Sequence, residues 1–226
     1  VKDNRVWTLN LEAGGGPAQR ASDVTLCGFT DTEQGQNFGN VDASRLFVTT
    51  KGADNACLTV DDGLSTLYAN QSDSTPALVL KGVGGISGFQ QVAATVRNSA
   101  GGVTGYLTLE ASAGQIFLIR RDADFGNPTA PLAELDGAQP AIEARHKGNS
   151  LVYLAFKSAL GATTSLYSYD NGSGILSASL YDFALGVRCF LCASAYDADN
   201  FYFTDPDDGT SVLQITHADA TQTNIS

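Results

Sequence analysis

Between Ser150 and Gly174 the chain reads SLVYLAFKSALGATTSLYSYDNGSG: two alternating apolar runs, a polar turn between them, and an Asp-Asn-Gly turn at the end. Period-two alternation bounded by turn residues predicts a β-hairpin. The same order of run, turn and run recurs at Arg45 to Gly63 (RLFVTTKGADNACLTVDDG), Gly105 to Gly126 (GYLTLEASAGQIFLIRRDADFG) and Asn200 to Asp219 (NFYFTDPDDGTSVLQITHAD). In the first of these segments Leu151, Tyr153 and Ala155 alternate with Val152, Leu154 and Phe156. Both sets are apolar, which predicts a middle strand covered on both faces rather than one with a wet side. Further strands are predicted at Val6 to Leu11, Asp23 to Phe29, Ile175 to Tyr181 and Val187 to Tyr196, with an edge strand around Leu132 to Leu135 in a proline-rich stretch. The run FQQVAATVR, Phe89 to Arg97, fits either a strand or a short helix.

The second runs of the four hairpins end near Val60, Ile119, Tyr169 and Ile215. That recurrence is similar to the period of β-propeller blades, about 40 to 50 residues with four short strands in each. A blade cannot bury both of its faces alone and must stack on its neighbours. The expected fold is therefore all-β: a β-propeller or propeller-like set of repeated antiparallel sheets, with about four to five blades at this period. Residues 1–226 are expected to form one such domain, either a small ring or part of a larger one. Because the chain contains no Met, it is expected to be a processed product or a segment of a longer protein.

Two turns sharpen the resemblance. Thr59-x-Asp61-x-Gly63-x-Ser65 and Ser168-x-Asp170-x-Gly172 resemble the Asp-box of sialidase-like propellers, whose Ser/Thr and Asp fold a tight turn between the two outer strands of a blade. The aromatic that closes the motif is missing, with Thr66 and Ile175 standing near its place, and no Phe-Arg-Ile-Pro segment accompanies it. The resemblance implies a structural role for these turns and no sialidase activity. Asp205-Pro-Asp207-Asp208-Gly209 has similar composition but falls at the other turn of its hairpin.

Composition agrees with a turn-rich β protein. The acids comprise 19 Asp and 5 Glu beside 24 Gly, and Asp favours turns where Glu favours helices. A net charge of -11 opposes nucleic-acid binding, which needs clustered Lys and Arg. The longest basic run is Arg120-Arg121, followed at once by Asp122. No apolar run is long enough to span a bilayer, so membrane insertion is not expected. Four cysteines, Cys27, Cys57, Cys189 and Cys192, allow three pairings and fit disulfides in a secreted or periplasmic protein as well as buried thiols. Cys189-x-x-Cys192 lies in a strand-like run, away from the helix N-terminus that redox pairs use.

Candidate chemistry is sparse. Gly82-x-Gly84-Gly85-x-Ser87 approaches a dinucleotide fingerprint but ends in Ser and opens no helix. Gly85-Ile-Ser87-Gly88-Phe89 lacks the final glycine of a nucleophile elbow. Of two histidines, His146 in ARHKGN is expected in a solvated turn, and His217, close to Asp219, is the better catalytic candidate. Asp197, Asp199, Asp205, Asp207 and Asp208 are clustered, and Asp205, Asp207 and Asp208 form the candidate calcium site, since a hard cation wants several oxygen ligands from one loop. The alternative role for these acids is to accept turn N–H groups.

The function expected from this inventory is an extracytoplasmic binding module, secreted, periplasmic or at the cell surface, that recognises a protein or glycan partner through loops such as Thr30 to Asn40. The alternatives are a glycan-acting hydrolase with acids gathered at the propeller mouth and a structural segment of a larger surface protein.

Overall fold

A computed structural model describes residues 5–8, 18–22, 26–29, 45–57, 59–68, 77–80, 88–138, 142–183, 194–204, 211–216 and 221–225. Among them are eighteen strands and no helix. A leading pair, β1 (Arg5–Thr8) and β2 (Ala18–Ser22), is antiparallel. Four four-stranded antiparallel sheets follow, each a meander of consecutive strands. Sheet I contains β3 (Leu26–Phe29), β4 (Arg45–Thr50), β5 (Gly63–Tyr68) and β6 (Ala77–Leu80). Sheet II contains β7 (Phe89–Arg97), β8 (Val103–Ser112), β9 (Gln115–Asp122) and β10 (Ala133–Leu135). Sheet III contains β11 (Glu143–Lys147), β12 (Leu151–Lys157), β13 (Thr164–Asp170) and β14 (Tyr181–Asp182). Sheet IV contains β15 (Ser194–Tyr196), β16 (Asn200–Thr204), β17 (Val212–Thr216) and β18 (Gln222–Asn224).

Three of the four predicted hairpins are thus the second and third strands of sheets II, III and IV, while in sheet I only the first run, β4, matches. The two apolar faces of β12 serve two different cores. Val152, Leu154 and Phe156 pack towards sheet II with Ala94, Val96, Leu107 and Leu109. Tyr153 and Ala155 pack towards sheet IV with Phe201, Phe203, Leu213 and Ile215. A third core joins Leu64 of sheet I to Phe89, Val92, Tyr106 and Phe125 of sheet II.

That third core contains charge. Arg121 and Glu110 are both fully buried, with Arg121 Nη2 donating to Glu110 Oε2 at 2.7 Å and Nε to Oε1 at 2.5 Å. The Arg121 guanidinium lies 5.2 Å from the centre of the Phe89 ring, and its Nη1 donates to the Phe125 carbonyl at 3.0 Å. Phe125 sits at φ 63°, a conformation that costs a non-glycine residue energy. It is held there by that carbonyl contact and by stacking on Tyr106 at 4.4 Å. The second arginine of the apparent basic run is therefore a core residue. A buried ion pair stands only when its remaining donors and acceptors are also met, and Thr108 Oγ1 donates to Glu110 Oε1 at 2.8 Å.

Several elements depart from the sequence pattern for identifiable reasons. The run ending at Val60 is not the return strand of the first hairpin; that strand is β5, beginning at Gly63. Asp61 accepts the Ala53 and Asp54 N–H groups, and Asp62 accepts Thr59 N–H at 3.1 Å, so these residues are tied into a turn rather than a ladder. Cys57 in this loop is disulfide-bonded, and no described cysteine is a free thiol. The loop presses on the start of sheet II, where Gly88 has φ 83° and a Cβ would come within 2.7 Å of the Val60 carbonyl. β1 pairs with β2, while the predicted strand Asp23 to Phe29 contains β3, which pairs with β4. Phe89–Arg97 is a strand of nine residues, mostly buried, at one edge of sheet II. The predicted edge strand is found as β10. The predicted outer strand Ile175 to Tyr181 shortens to a bridge at Leu176 and to β14, while Ser177 and Leu180 still donate to the Ser168 and Leu166 carbonyls.

Candidate functional site

Three turns converge at one end of the boundary between sheets II and III and enclose a cleft of about 710 Å³. The β7–β8 turn supplies Arg97, Asn98, Ser99 and Thr104, the β11–β12 turn Asn149 and Ser150, and the turn after β13 Asp170, Asn171 and Gly172. Two of the three walls are folded by a short polar side chain that takes over turn amides. Asn98 Oδ1 accepts Ala100 N–H at 3.0 Å and Gly102 N–H at 2.9 Å. Asp170 Oδ1 accepts Gly172 N–H at 2.9 Å and Ser173 N–H at 2.7 Å, and Gly174 closes that turn at φ 73°, where a side chain would be strained. These amides, that of Ser173 foremost, hold the Asp170 carboxyl below its usual range against the opposing effect of burial.

The walls are tied to one another across the sheet boundary. Asn149 Nδ2 donates to the Ser99 carbonyl at 3.3 Å, joining sheet III to sheet II. Asn171 donates through its backbone to the Ser150 carbonyl at 2.8 Å and through Nδ2 to the Asn149 carbonyl at 3.0 Å. The other end of that amide, Asn171 Oδ1, is buried and has no hydrogen-bond partner among the described residues. The nine lining residues among the described ones are polar or glycine, and Asp170 is the carboxylate among them.

The rim continues towards sheet IV. Lys147 Nζ donates to the Ala198 carbonyl at 2.7 Å, and Gly148 N–H donates to Tyr196 Oη at 3.4 Å. In the β15–β16 turn Asp197 accepts from Tyr202 Oη at 2.7 Å and from the backbone of Asp199 and Asn200. The Tyr202 hydroxyl, followed by those amides, pulls the Asp197 carboxyl down to about 2. In the loop between β4 and β5, Asp54, Asp61 and Asp62 bring carboxylate oxygens within 4.8 Å of one another. Their oxygens receive turn N–H groups and the Thr59 hydroxyl, at 2.9 Å for Asp61 and 3.0 Å for Asp62.

The two Asp-box-like turns do not occupy equivalent places. Ser168 to Gly172 follows the third strand of its sheet, as the resemblance implies, whereas Thr59 to Gly63 lies between the second and third strands. The place matching Asp170 in sheet II is held by the Asp122 to Gly126 turn, where Asp124 Oδ1 accepts Gly126 N–H at 2.9 Å. His146 is not solvated. β11 extends through Lys147, pairing His146 with Val152 and turning the ring inward, where it is 2 % exposed and its Nε2 lies 3.3 Å from Thr95 Oγ1. Asp205, Asp207, Asp208, His217, Cys189, Cys192, residues 82–87 and residues 30–40 lie outside the described residues.

The cleft itself was missed by sequence reasoning. One signal was present: the dipeptide Asn-Ser stands at both first turns, Asn98-Ser99 and Asn149-Ser150, and only the pairing of sheets shows that these turns are neighbours.

No family model matches the chain. No curated protein sequence matches it either. Among solved structures it is similar to TolB from Acinetobacter baumannii, with a TM-score of 0.55 and 11% identity over 97% of this chain and 48% of that one. The chain thus spans about half the length of that neighbour. At this identity the likeness is one of fold, and it agrees with the repeated four-stranded sheets: the chain is an all-β protein of β-propeller type.

Proposed function

We propose that this chain is an extracytoplasmic binding module, secreted, periplasmic or at the cell surface, that recognises a protein or glycan partner through turns at one end of its sheets. The observation that carries this reading is the cleft between sheets II and III, a concave site of about 710 Å³ lined by polar residues and glycine, whose walls are braced against each other by side chains. Pre-formed concavity with a few fixed polar groups is what small-ligand and chain-end recognition requires. Acid-base hydrolysis of a glycoside uses two carboxyl groups. The cleft lining supplies Asp170 as its carboxylate, which favours binding over turnover. The disulfide at Cys57 favours an oxidising compartment.

The test is a printed array of glycans and peptides probed with the native chain and with Ser99→Trp, a substitution at an exposed lining position that fills the cleft. Retention on some features that the variant loses is the expected result. Steady turnover of a glycoside or ester panel by the native chain, lost in Asp170→Asn, replaces binding with catalysis as the function.

A further inference from the structure

We infer that the cleft takes a saccharide, binding vicinal hydroxyls of a glycan residue directly through amide and hydroxyl groups. This inference rests on the binding-module reading and narrows it to one ligand class. Asn149, Asn171, Ser99, Ser150, Thr104, Asp170 and Arg97 all line one concavity, with no aliphatic or aromatic residue among the described lining residues. Protein partners are gripped chiefly by aromatic and other large side chains seated in desolvated pockets. The described residues lining the cleft are polar or glycine, so no apolar side chain among them forms a pocket for such an anchor. Phosphate-rich ligands are disfavoured by the net charge of -11.

A sugar fits the remaining chemistry. Each hydroxyl of a saccharide donates one hydrogen bond and accepts others, so it can bridge acceptors and donors that stand side by side. The cleft offers both. Asn171 Oδ1 is a buried acceptor without a partner among the described residues, a state that native proteins seldom leave unfilled by water or ligand. Its amide cannot turn to satisfy itself, because Nδ2 is committed to the Asn149 carbonyl. The Asp170 carboxylate beside it is kept ionised by the turn amides and so is an acceptor at neutral pH. The ties from Asn149 to Ser99 and from Asn171 to Asn149 fix the spacing of the walls before any ligand arrives, which lowers the entropic cost of binding.

The experiment is saturation-transfer NMR on the full chain with a panel of free hexoses, N-acetylhexosamines, deoxyhexoses and sialic acid, run in parallel with a peptide array and repeated in EDTA. The expected result is transfer to at least one saccharide, abolished by Ser99→Trp and weakened about tenfold in affinity by Asn171→Ala, with unchanged thermal midpoint in the Trp variant and no effect of EDTA. Transfer that persists in Ser99→Trp overturns the assignment to this cleft. Transfer lost in EDTA overturns direct recognition by amides and hydroxyls in favour of a bridging cation. Silence from every saccharide overturns the inference: peptide binding that Ser99→Trp abolishes then leaves the module reading intact, and silence from the peptides too removes both.

Discussion

The boundaries on the two sides of sheet III are built differently. Towards sheet II the core is mainly aliphatic, with Ala93, Ala94, Val96, Leu107 and Val152 among its members and Phe156 and Tyr169 as its aromatics, and it is crossed by directional bonds. Gln91 Nε2 donates to the Ile142 carbonyl at 2.9 Å while Ile142 N–H donates back to Gln91 Oε1 at 3.1 Å. Asp136 and Lys157 form an ion pair at 2.8 Å, and the backbone of β10 bonds to the β12–β13 turn through Asp136 and Ala159. Towards sheet IV the core is aromatic: Tyr153 stacks on Phe201 at 4.1 Å, and Phe203 meets Phe201, Phe183 and Tyr181 at 5.6 to 5.9 Å. Apolar burial is non-directional and tolerates sliding, whereas hydrogen bonds with both ends on backbone do not. The candidate cleft opens at the stitched boundary, where its walls must hold a fixed spacing.

The largest effect is expected on the aromatic side. Phe201 is fully buried, and Phe201→Ala removes a stacked ring and leaves a cavity, lowering unfolding free energy by about 3–5 kcal/mol in a urea titration. A loss below about 1 kcal/mol would mean that sheets III and IV are not joined through this cluster. The same variant sharpens the contrast: it should leave saccharide or peptide recognition by the cleft unchanged in affinity, since no ring of that core lines it.

A smaller but more local effect is expected from Gln91→Ala. It strands the N–H and carbonyl of Ile142, a residue only 2 % exposed, at a cost of about 1–3 kcal/mol. Hydrogen exchange reads the difference between the two boundaries. In Gln91→Ala the Ile142 amide should exchange faster by more than the global loss of stability accounts for, and in Phe201→Ala it should follow the global loss alone. Equal acceleration in both would erase the distinction between a stitched and a slippery boundary.

What could be seen in the sequence is what alternation encodes. β12 announces two covered faces because both of its residue sets are apolar, and the central hairpins of sheets II, III and IV follow from the same period. Alternation is silent where a side chain diverts the backbone: Cys57 to Val60 looks like a strand, but Asp61 and Asp62 capture the amides around it and delay the return strand to Gly63. It is equally silent about His146, whose polar neighbours suggest a turn while the ladder to Val152 carries it into the interface. The cleft is less legible still. Its walls come from turns far apart in the chain, and two of its braces end on backbone carbonyls, of Ser99 and Asn149, which every residue possesses and no sequence pattern marks.

The smallest predicted effect lies on the sheet IV side of the rim. The hydroxyl of Tyr202 is the first cause of the depressed Asp197 carboxyl, which titrates at about 2. A carboxyl lowered on folding adds stability above its unfolded value of about 3.9, and that contribution is lost as pH falls through the folded value. The window is therefore about pH 4 down to about 2. Tyr202→Phe removes the donor while the amides of Asp199 and Asn200 keep the turn, so the Asp197 carboxyl should move up towards the ordinary range in a carbon-detected titration and the acid limb of stability should flatten. The same bond raises the Tyr202 hydroxyl above its usual value, a contribution present below the unfolded tyrosine value and lost as pH rises through the folded one. Asp197→Asn should accordingly lower the Tyr202 titration midpoint. Because this bond lies wholly within sheet IV, neither substitution should alter exchange at Ile142, and a change there would show that the two boundaries of sheet III are mechanically coupled.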